Sequence, residues 1–228
     1  MSGSNELLLV AEDVDRLFGV GERRASALQS VSLAVHANER VALIGRSGSG
    51  KSTLLHIMAG LDEPTGGTVS WPALGEKASL RPAKVAIMMQ SPSLIPWLTV
   101  LENIALPLQL LGRPDADASG LASEGLNEFG LGDLAAKLPE EISGGQAQRV
   151  ALVRATVSQP SMLLADEPTG QLDHTTAGVL MDELFAWADR TRAAIVVATH
   201  DPAIATRFAV RLKMDHGRLV TASDGVPS

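Results

Sequence analysis

Short apolar runs recur along the chain, and several of them are followed by stretches in which apolar residues have helical spacing. Each run is too short for a typical helix and is bounded by turn residues, which is typical of a buried strand. The runs lie at 7–10, 31–35, 41–44, 85–89, 162–165 and 194–198. Because strands that alternate with helices form parallel sheets covered on both faces, the pattern predicts an α/β fold with a mostly parallel sheet.

Shorter features complete the predicted order of elements. The segment 19–24 predicts a hairpin connection between the first two strands, so an antiparallel β subdomain is expected at the N-terminus. A turn cluster at 61–67 precedes a predicted strand at 68–71, and the polar, proline-containing stretch 72–84 predicts a loop. A helix is predicted near 175–191, and a hairpin formed by 210–214 and 218–220 is predicted near the end of the chain.

From residue 98 to about 157 the strand-like runs give way to helical spacing, with loops around 112–115 and 130–132. This stretch predicts an α-helical insertion in the α/β core. We therefore expect a single domain over 1–228, in which 1–90 and 158–228 form the β subdomain and the α/β core. The helical insertion is expected to occupy 91–157.

The composition changes this picture in three respects. The formal net charge of −7 disfavours a broad nucleic-acid surface, because such binding depends on neutralising phosphates. The chain has no cysteine, which excludes disulfides, thiolate catalysis and zinc–thiolate sites. No apolar run approaches the about 20 residues of a membrane span, and residues 1–6 lack the features of a secretory signal. We therefore expect a cytoplasmic location.

The sequence GRSGSGKS at 45–52, named here the phosphate loop, lies between the apolar run 41–44 and a predicted helix. It matches the pattern G-x-x-x-x-G-K-[ST] in the strand–loop–helix context that this pattern requires. Gly45, Gly48 and Gly50 allow backbone N–H groups to face a polyphosphate, and the positive end of the helix dipole lies beneath it. Lys51 supplies a charge for the outer phosphates, and the Ser52 hydroxyl is a ligand for Mg²⁺. The chain is predicted to bind a nucleoside triphosphate.

Two carboxylates, Asp166 and Glu167, follow the apolar run 162–165. In phosphate-loop ATPases an aspartate in this place holds Mg²⁺, and a second carboxylate can polarise the attacking water as a general base. Apolar strands also end commonly in acidic turns that have no catalytic role. The occurrence of this pair in the same chain as the phosphate loop favours the catalytic interpretation.

The segment ISGGQ at 142–146 precedes a helical run. Ser143 is a predicted N-cap, and Gln146 stands three residues later, as in a capping box. By itself the segment is either the start of a helix and nothing more, or a second anion site. In the second case the serine hydroxyl, the glycine amides and the helix dipole face a phosphate.

The motifs follow one another in a defined order: GRSGSGKS at 45–52, Gln90, ISGGQ at 142–146, LLADE at 163–167, QLD at 171–173 and THD at 199–201. In this order, and over nearly its whole length, the chain resembles the nucleotide-binding subunit of ABC transporters. The resemblance implies a phosphate-loop NTPase core, ATP and Mg²⁺ as cofactors, and ATP hydrolysis coupled to transport. It also implies two partners, a second copy of the chain that forms a head-to-tail ATP sandwich and an integral membrane permease, and no nucleic acid.

The resemblance also implies a role for each matching residue. Gln90 would contact Mg²⁺ and the attacking water, His200 would touch the γ-phosphate, and Asp173 would lie in the loop that joins the two ATP sites. The segment 143–146 would complete the site of the other subunit. The predicted catalytic residues are Lys51, Gln90, Glu167 and His200. The predicted Mg²⁺ ligands are Ser52, Gln90 and Asp166. The predicted ATP-binding residues are Phe18, Gly45, Arg46, Ser47, Gly48, Ser49, Gly50, Lys51, Ser52, Thr53, Gln90, Ser143, Gly144, Gly145, Gln146, Asp166 and His200.

Two positions depart from the pattern of the family. The family commonly stacks adenine on an aromatic residue, often tyrosine, upstream of the phosphate loop, but this chain has no tyrosine. Phe18 occupies the corresponding place and can stack through its ring face, although it can also be a core residue. The ISGGQ segment begins with Ile142 where leucine is more usual, a conservative apolar change.

Within the family, the segments 59–65, 101–107 and 164–173 are similar to the lipoprotein-releasing and macrolide-exporter group. In that group an ATPase dimer drives a permease, so export or force transmission to the cell envelope is expected. Residues 94–97 are similar instead to the nitrate, sulfonate and taurine importers. A regulatory ATPase of a cell-envelope complex would have almost the same sequence. The sequence leaves these alternatives open.

An apolar stretch at 93–98 follows Gln90 and contains Pro96 and Trp97. One interpretation is ordinary packing at the base of the helical insertion, since most tryptophans are largely buried. The other is the floor of the groove that receives the permease, since aromatic anchors are frequent at protein interfaces.

Overall fold

The computed structural model describes residues 6–19 and 24–220. In this part of the chain the strands are β1 Leu7–Phe18, β2 Ala25–His36, β3 Arg40–Ile44, β4 Gly66–Ser70, β5 Val85–Met88, β6 Met162–Asp166, β7 Ala194–Thr199, β8 Val210–Asp215 and β9 Arg218–Val220. The α-helices are α1 Lys51–Met58, α2 Val100–Leu110, α3 Asp115–Glu128, α4 Gly144–Thr156, α5 His174–Thr191 and α6 Pro202–Ala205. The connection predicted at 19–24 falls largely on residues 20–23, which lie outside the described residues.

The larger sheet has the strand order β5-β6-β7-β3-β8-β9. Its neighbouring strands are parallel, except that β8 and β9 form an antiparallel hairpin. The predictions of a mostly parallel sheet and of this hairpin are confirmed. β6 and β7 are buried along their whole length. They lie inside a sheet that is covered on both faces, which explains why they appear as continuous apolar runs in the sequence.

The smaller sheet is antiparallel and has the order β2-β1-β4. The sequence analysis predicted only 7–10 and 31–35 as strands, whereas β1 and β2 are each 12 residues long. Register shifts interrupt the pairing of β1 with β2, and Asp13 and Ser30 have positive φ values of 48° and 49°. The Ser30 hydroxyl donates to the Asp13 carboxylate at 2.8 Å. Because each irregularity breaks the alternation of apolar and polar residues, the pattern hid the second half of β1 and the first half of β2.

Buried side chains form two clusters, one on each face of the larger sheet. Leu163 of β6 belongs to the cluster that includes residues of α2, α3, α4 and α5. Leu164, the next residue, belongs to the cluster that includes residues of α1 and of the smaller sheet. This alternation follows from the two-residue period of a strand. The helical and the antiparallel parts therefore cover opposite faces of the same sheet.

The stretch 72–84 is more ordered than the predicted loop. It contains a 3-10 helix at Lys77–Ser79, and Leu74 and Leu80 are buried in the cluster that faces α1. Because polar residues and prolines interrupt this stretch, the sequence pattern did not indicate that Leu74 and Leu80 are buried. No helix in the described part of the chain is long and apolar enough to cross a membrane.

Candidate functional site

The strands β5, β6, β7 and β3 are consecutive parallel neighbours, so their carboxyl ends lie along one edge of the sheet. Gln90, Asp166, His200 and Gly45 lie at these ends or within two residues of them. In open α/β sheets ligands bind outside the carboxyl ends of the strands. The strand order thereby brings Gly45 and His200, which are 155 positions apart in the sequence, to one site.

The phosphate loop holds its lysine in a defined position. Lys51 is the first residue of α1 and is only 4% exposed. Its Nζ donates to the carbonyl oxygens of Gly45 at 2.8 Å and Arg46 at 3.1 Å. Gly50 has φ 102°, and a methyl group there would lie 2.5 Å from the carbonyl oxygen of Ala27. The loop therefore curls around the ammonium group, and glycine at position 50 lets β2 approach it closely.

Glu167 lies between the phosphate loop and the histidine. Its Oε1 is 3.2 Å from Lys51 Nζ, and its Oε2 is 2.9 Å from His200 Nδ1. The Glu167 backbone has φ 46°, which is uncommon for a residue other than glycine. Backbone conformations of this kind are concentrated at functional sites, where the surrounding structure over-determines them. Three predicted catalytic residues therefore form one connected group.

Two cavities border Glu167. One has a volume of about 240 Å³ and is lined by the phosphate loop, Ala27, Gln90 and Glu167. The other, of about 320 Å³, lies between Glu167, His200 and the start of α5. A methyl group at Gly170 would be 3.6 Å from Glu167 Oε2 and 3.7 Å from Gln90 Nε2, so these two side chains converge on the same region.

Asp166 precedes Glu167 and is 7% exposed. Its Oδ1 is buried and accepts no hydrogen bond from the part of the chain that the structure describes. Buried polar atoms are normally hydrogen-bonded, so an unsatisfied carboxylate oxygen at this sheet edge indicates a place for an ion or a water molecule. Carboxylate, hydroxyl and amide oxygens are hard ligands of the kind that Mg²⁺ prefers, and Asp166, Ser52 and Gln90 supply one of each.

The segment 143–146 forms the helix start that the sequence predicted. Ser143 caps α4: its hydroxyl accepts from the Gln146 N–H at 3.2 Å, and Gln146 Oε1 accepts from the Ser143 N–H at 2.9 Å. A cavity of about 520 Å³ is lined by this segment, by Arg149 and by residues around Asp173. It shares no described lining residue with the cavity at the phosphate loop. Within one chain, the two predicted phosphate sites are therefore separate.

Phe18 ends β1 and is 43% exposed, which excludes the interpretation as a core residue. The Arg16 guanidinium lies 4.6 Å from the centre of its ring. Phe18 pairs with Ala25, two residues before Ala27 of the phosphate-loop cavity, but it does not line that cavity itself. Stacking of Phe18 on adenine stays a prediction.

Sequence reasoning missed two polar residues of α4 that connect ISGGQ to the rest of the site. Gln148 is buried, and its Nε2 donates to the carbonyl oxygen of Pro168, directly after Glu167. The Arg154 guanidinium donates to the carbonyl oxygens of Pro92 and Ser93, just after Gln90. Burial lowers the pKa of Arg154 from its usual value. Both are polar residues among the apolar positions of a helix, and this was the signal available in the sequence.

Known proteins are similar to this chain over most of its length. The family model described as ABC transporter matches residues 28–170. The chain is 37% identical over 227 residues to the lipoprotein-releasing system ATP-binding protein LolD of Hydrogenovibrio crunogenus, covering 96% of this chain and 99% of that one. It is 40% identical over 228 residues to LolD of Pseudomonas syringae pv. tomato, covering 96% and 100% of the two chains.

Solved structures of ATP-binding cassettes have the same fold as this chain. The dimeric structure of MJ0796, a bacterial ABC transporter cassette, aligns with a TM-score of 0.84 at 34% identity, over 93% of this chain and 96% of that one. A dimeric post-hydrolysis state of MJ0796 bound to ADP and Pi aligns with the same TM-score at 33% identity and with the same coverage. The chain described here therefore belongs to the ABC transporter family, as an ATP-binding subunit with ATPase activity.

Proposed function

We propose that this chain hydrolyses ATP at the phosphate loop and thereby drives a membrane permease of the lipoprotein-releasing or a related export type. The observation that carries the proposal is the position of Glu167, whose carboxylate contacts both Lys51 and His200 at the sheet edge. The relatives at 37–42% identity are named as ATP-binding proteins of lipoprotein-releasing systems, which supports the export assignment. By the same reasoning, the chain acts on the cytoplasmic face of the cell membrane.

The phosphate loop positions the triphosphate. Backbone N–H groups of residues 45–52 and the N-terminal end of α1 favour an anion in the cavity that Lys51 faces. Lys51 is already desolvated and held by two carbonyl oxygens, so a phosphate within its reach gains a strong charge-assisted contact. A phosphate there competes with Glu167 for the ammonium group.

Glu167 is the proposed general base. With one oxygen 2.9 Å from His200 Nδ1, the carboxylate is held in an orientation in which it can accept a proton from water. Gln90, which lines the same cavity, is placed to orient that water. His200 and Lys51 carry donors toward the place where charge develops on the transferred phosphoryl group. Lys51 binds phosphate, Gln90 orients the attacking water and Glu167 accepts its proton. These are the roles that phosphoryl transfer requires.

Mg²⁺ fits the residues at the sheet edge, where Asp166 Oδ1 is buried and unsatisfied. Ser52, Gln90 and Asp166 would hold it, and when bound it neutralises charge on the β- and γ-phosphates. The contribution of this chain is to keep an oxygen donor desolvated and available next to the phosphate loop.

The substitution Asp166→Asn is expected to weaken the binding of Mg²⁺ to the site by about tenfold or more, since it removes the charge of one ligand. The related ion Mn²⁺ serves as the probe. Binding of Mn²⁺ in the presence of ADP, followed by paramagnetic resonance, measures this without turnover. Asp133→Asn, at an exposed carboxylate outside the site, is the control. Equal Mn²⁺ affinity in the two variants would remove Asp166 from the metal site.

Two copies of the chain are proposed to share their sites head to tail. The cavity at the segment 143–146 is separate from the cavity at the phosphate loop of the same chain. A second copy can bring its own segment 143–146 to this phosphate loop, and the twofold relation then makes the reverse contact as well. The dimeric structures of MJ0796 support this arrangement.

The segment after Gln90 is proposed to bind the permease. Trp97 is 79% exposed, so the interpretation as ordinary packing is wrong for this residue. Leu94 packs against the core, and a small apolar cavity of about 150 Å³ between β5, Pro107 and Arg154 lies beside the edge strand of the sheet. An apolar helix of the permease would cover Trp97 and remove its surface from water. Because Arg154 holds the carbonyl groups of this segment, a shift of the segment is passed to α4.

Trp97→Ala is expected to weaken binding of the permease about thirtyfold and to leave ATP binding unchanged, because the residue is a large exposed aromatic outside the ATP cavity. Affinity for the detergent-solubilised permease and ATP affinity would be measured in parallel. Leu61→Ala removes another exposed apolar side chain, after α1, and serves as the control. Unchanged permease affinity in the tryptophan variant would contradict the docking assignment.

An importer ATPase is the second candidate, favoured by residues 94–97 and by the exposure of Trp97. Affinity capture from native membranes, using tagged Glu167→Gln with ATP, separates the two. A permease with few membrane helices and a large periplasmic domain supports the export assignment. A permease with many helices, recovered with a solute-binding protein, supports the importer. Recovery of ribosomes or DNA without a membrane protein would contradict both.

A further inference from the structure

The two-residue turn between β8 and β9 has a backbone shape that favours glycine at its second position. His216 and Gly217 have φ values of 44° and 79°, as a type I′ hairpin turn requires at both central residues. A methyl group at Gly217 would lie 2.7 Å from the Ala27 carbonyl oxygen and 3.2 Å from Leu28 Cα. Both contacts are with backbone atoms, which cannot move aside as the end of a flexible side chain can. The backbone conformation therefore favours glycine here, and the steric contact excludes a side chain.

The same turn lies against the phosphate loop. The Gly217 N–H donates to the Ser49 carbonyl oxygen at 3.0 Å. Just before the turn, the Met214 carbonyl oxygen would lie 2.6 Å from a methyl group at Gly45, and Met214 Cε would lie 3.1 Å from one at Gly50. The end of β8 and the turn that follows it therefore pack against the phosphate loop from its beginning to its end.

The turn is also bound to β2, the strand that packs against the phosphate loop at Gly50. The Gln29 N–H donates to the Gly217 carbonyl oxygen at 2.8 Å, and Gln29 Nε2 donates to the His216 carbonyl oxygen at 3.3 Å. Arg218 Nη2 donates in turn to Gln29 Oε1 at 2.8 Å. Ala27 lies two residues before Gln29 and lines the cavity of the phosphate loop. The turn thus joins the phosphate loop to the strand that supplies another lining residue of the same cavity.

We propose that the turn 215–218 is a positioning element that sets the width of the nucleotide cavity and that Gly217 is its determining residue. Its N–H binds the phosphate loop, and its carbonyl group binds β2. Its lack of a side chain allows Ala27 of β2 to lie close to the turn and to the phosphate loop. A side chain at position 217 pushes β2 away from the phosphate loop. β2 pairs with β1, so the same shift moves Phe18, the proposed adenine platform. The inference rests on ATP binding at the phosphate loop, as proposed above.

Gly217→Ala is expected to raise the Kd for ATP about tenfold or more, because binding sites lose affinity when their walls move by a few tenths of an ångström. At saturating ATP the turnover is expected to stay within about twofold, since Glu167 and His200 lie on other strands. Gly112→Ala is the matched control. Gly112 has φ 80°, but a methyl group there meets no atom within 4 Å, so it carries the same backbone strain without the contact.

Kd for a fluorescent ATP analogue, kcat, KM and the thermal midpoint would be measured for wild type and for both glycine variants. Gln29→Ala is the milder second variant: it removes the side-chain bonds to His216 and Arg218 and leaves the glycine in place. We expect it to raise Kd about threefold at an unchanged thermal midpoint. Wild-type ATP affinity in Gln29→Ala and Gly217→Ala, or an equal loss in Gly112→Ala, would overturn the positioning role. A wild-type chain that binds no ATP would instead overturn the proposed function.

Discussion

Glu167→Gln is expected to lower the ATPase rate about 10³-fold while ATP binding persists. The substitution keeps the size of the side chain and a hydrogen-bond acceptor for His200, but it removes the group that takes a proton from water. It also removes the negative charge that lies 3.2 Å from Lys51 Nζ, so Lys51 is free to contact phosphate. ATP affinity should therefore be equal to that of the wild type or higher, and the closed dimer should accumulate.

Single-turnover hydrolysis, ATP affinity and the dimer fraction in the presence of ATP would be measured together. Glu124→Gln, on an exposed face of α3, is the control for loss of one carboxylate. Hydrolysis near the wild-type rate in Glu167→Gln would assign the proton acceptor elsewhere. Loss of ATP binding would show that Glu167 holds the phosphate loop in shape instead of acting on water.

Mixing two inactive variants is expected to restore ATPase activity. Lys51→Ala removes the ammonium group at the phosphate loop, and Gly144→Asp places a negative charge on the segment 143–146 where it would face a phosphate. Each variant alone is expected to lose at least about 100-fold in rate. In a head-to-tail heterodimer both changes fall on one site and the other site is intact. Random mixing should then recover about one quarter of the wild-type activity, since half of the dimers are mixed and one of their two sites works.

Gly144 suits this experiment because a methyl group there meets no atom within 4 Å. Aspartate in the first turn of α4 also agrees with the helix dipole, so the variant is expected to fold. Gly145 would be a poorer choice, since a methyl group there would lie 2.8 Å from Thr176 Cγ2. Copies with different affinity tags would verify that mixed dimers form. A mixture of verified heterodimers that is as inactive as its components would contradict the sharing of sites between subunits.

The Ser143 cap illustrates what could be predicted from the sequence. Its capping box depends on residues three positions apart, and local geometry determines it almost completely. The strand–loop–helix order around Lys51 and the apolar run that ends in Asp166 are local in the same sense. The large sheet could be predicted from the apolar runs, because buried parallel strands leave continuous apolar runs in the sequence.

The second half of β1 could not be predicted, because its bulges break the two-residue alternation on which strand prediction depends. The exposure of Trp97 was also undecided, since an apolar stretch predicts burial equally well against the chain itself or against a partner. Gln148, which is buried, and Arg154, which is partly buried, have partners about 20 and 60 residues away, and no local pattern indicates a contact over that distance.

By itself the sequence determined the chemistry available to this protein: a loop that turns amides toward phosphate, a lysine, two carboxylates, a histidine and a capped helix with two glycines. These follow from residue types at short spacings, where backbone geometry leaves few alternatives. The tertiary structure decided which of them meet. Strand order places Glu167 between Lys51 and His200 and leaves the segment 143–146 at a separate cavity. The packing of the turn 215–218 against β2 places the wall of the nucleotide cavity. Such contacts depend on the pairing and packing of segments far apart in the chain, which the local sequence pattern does not specify.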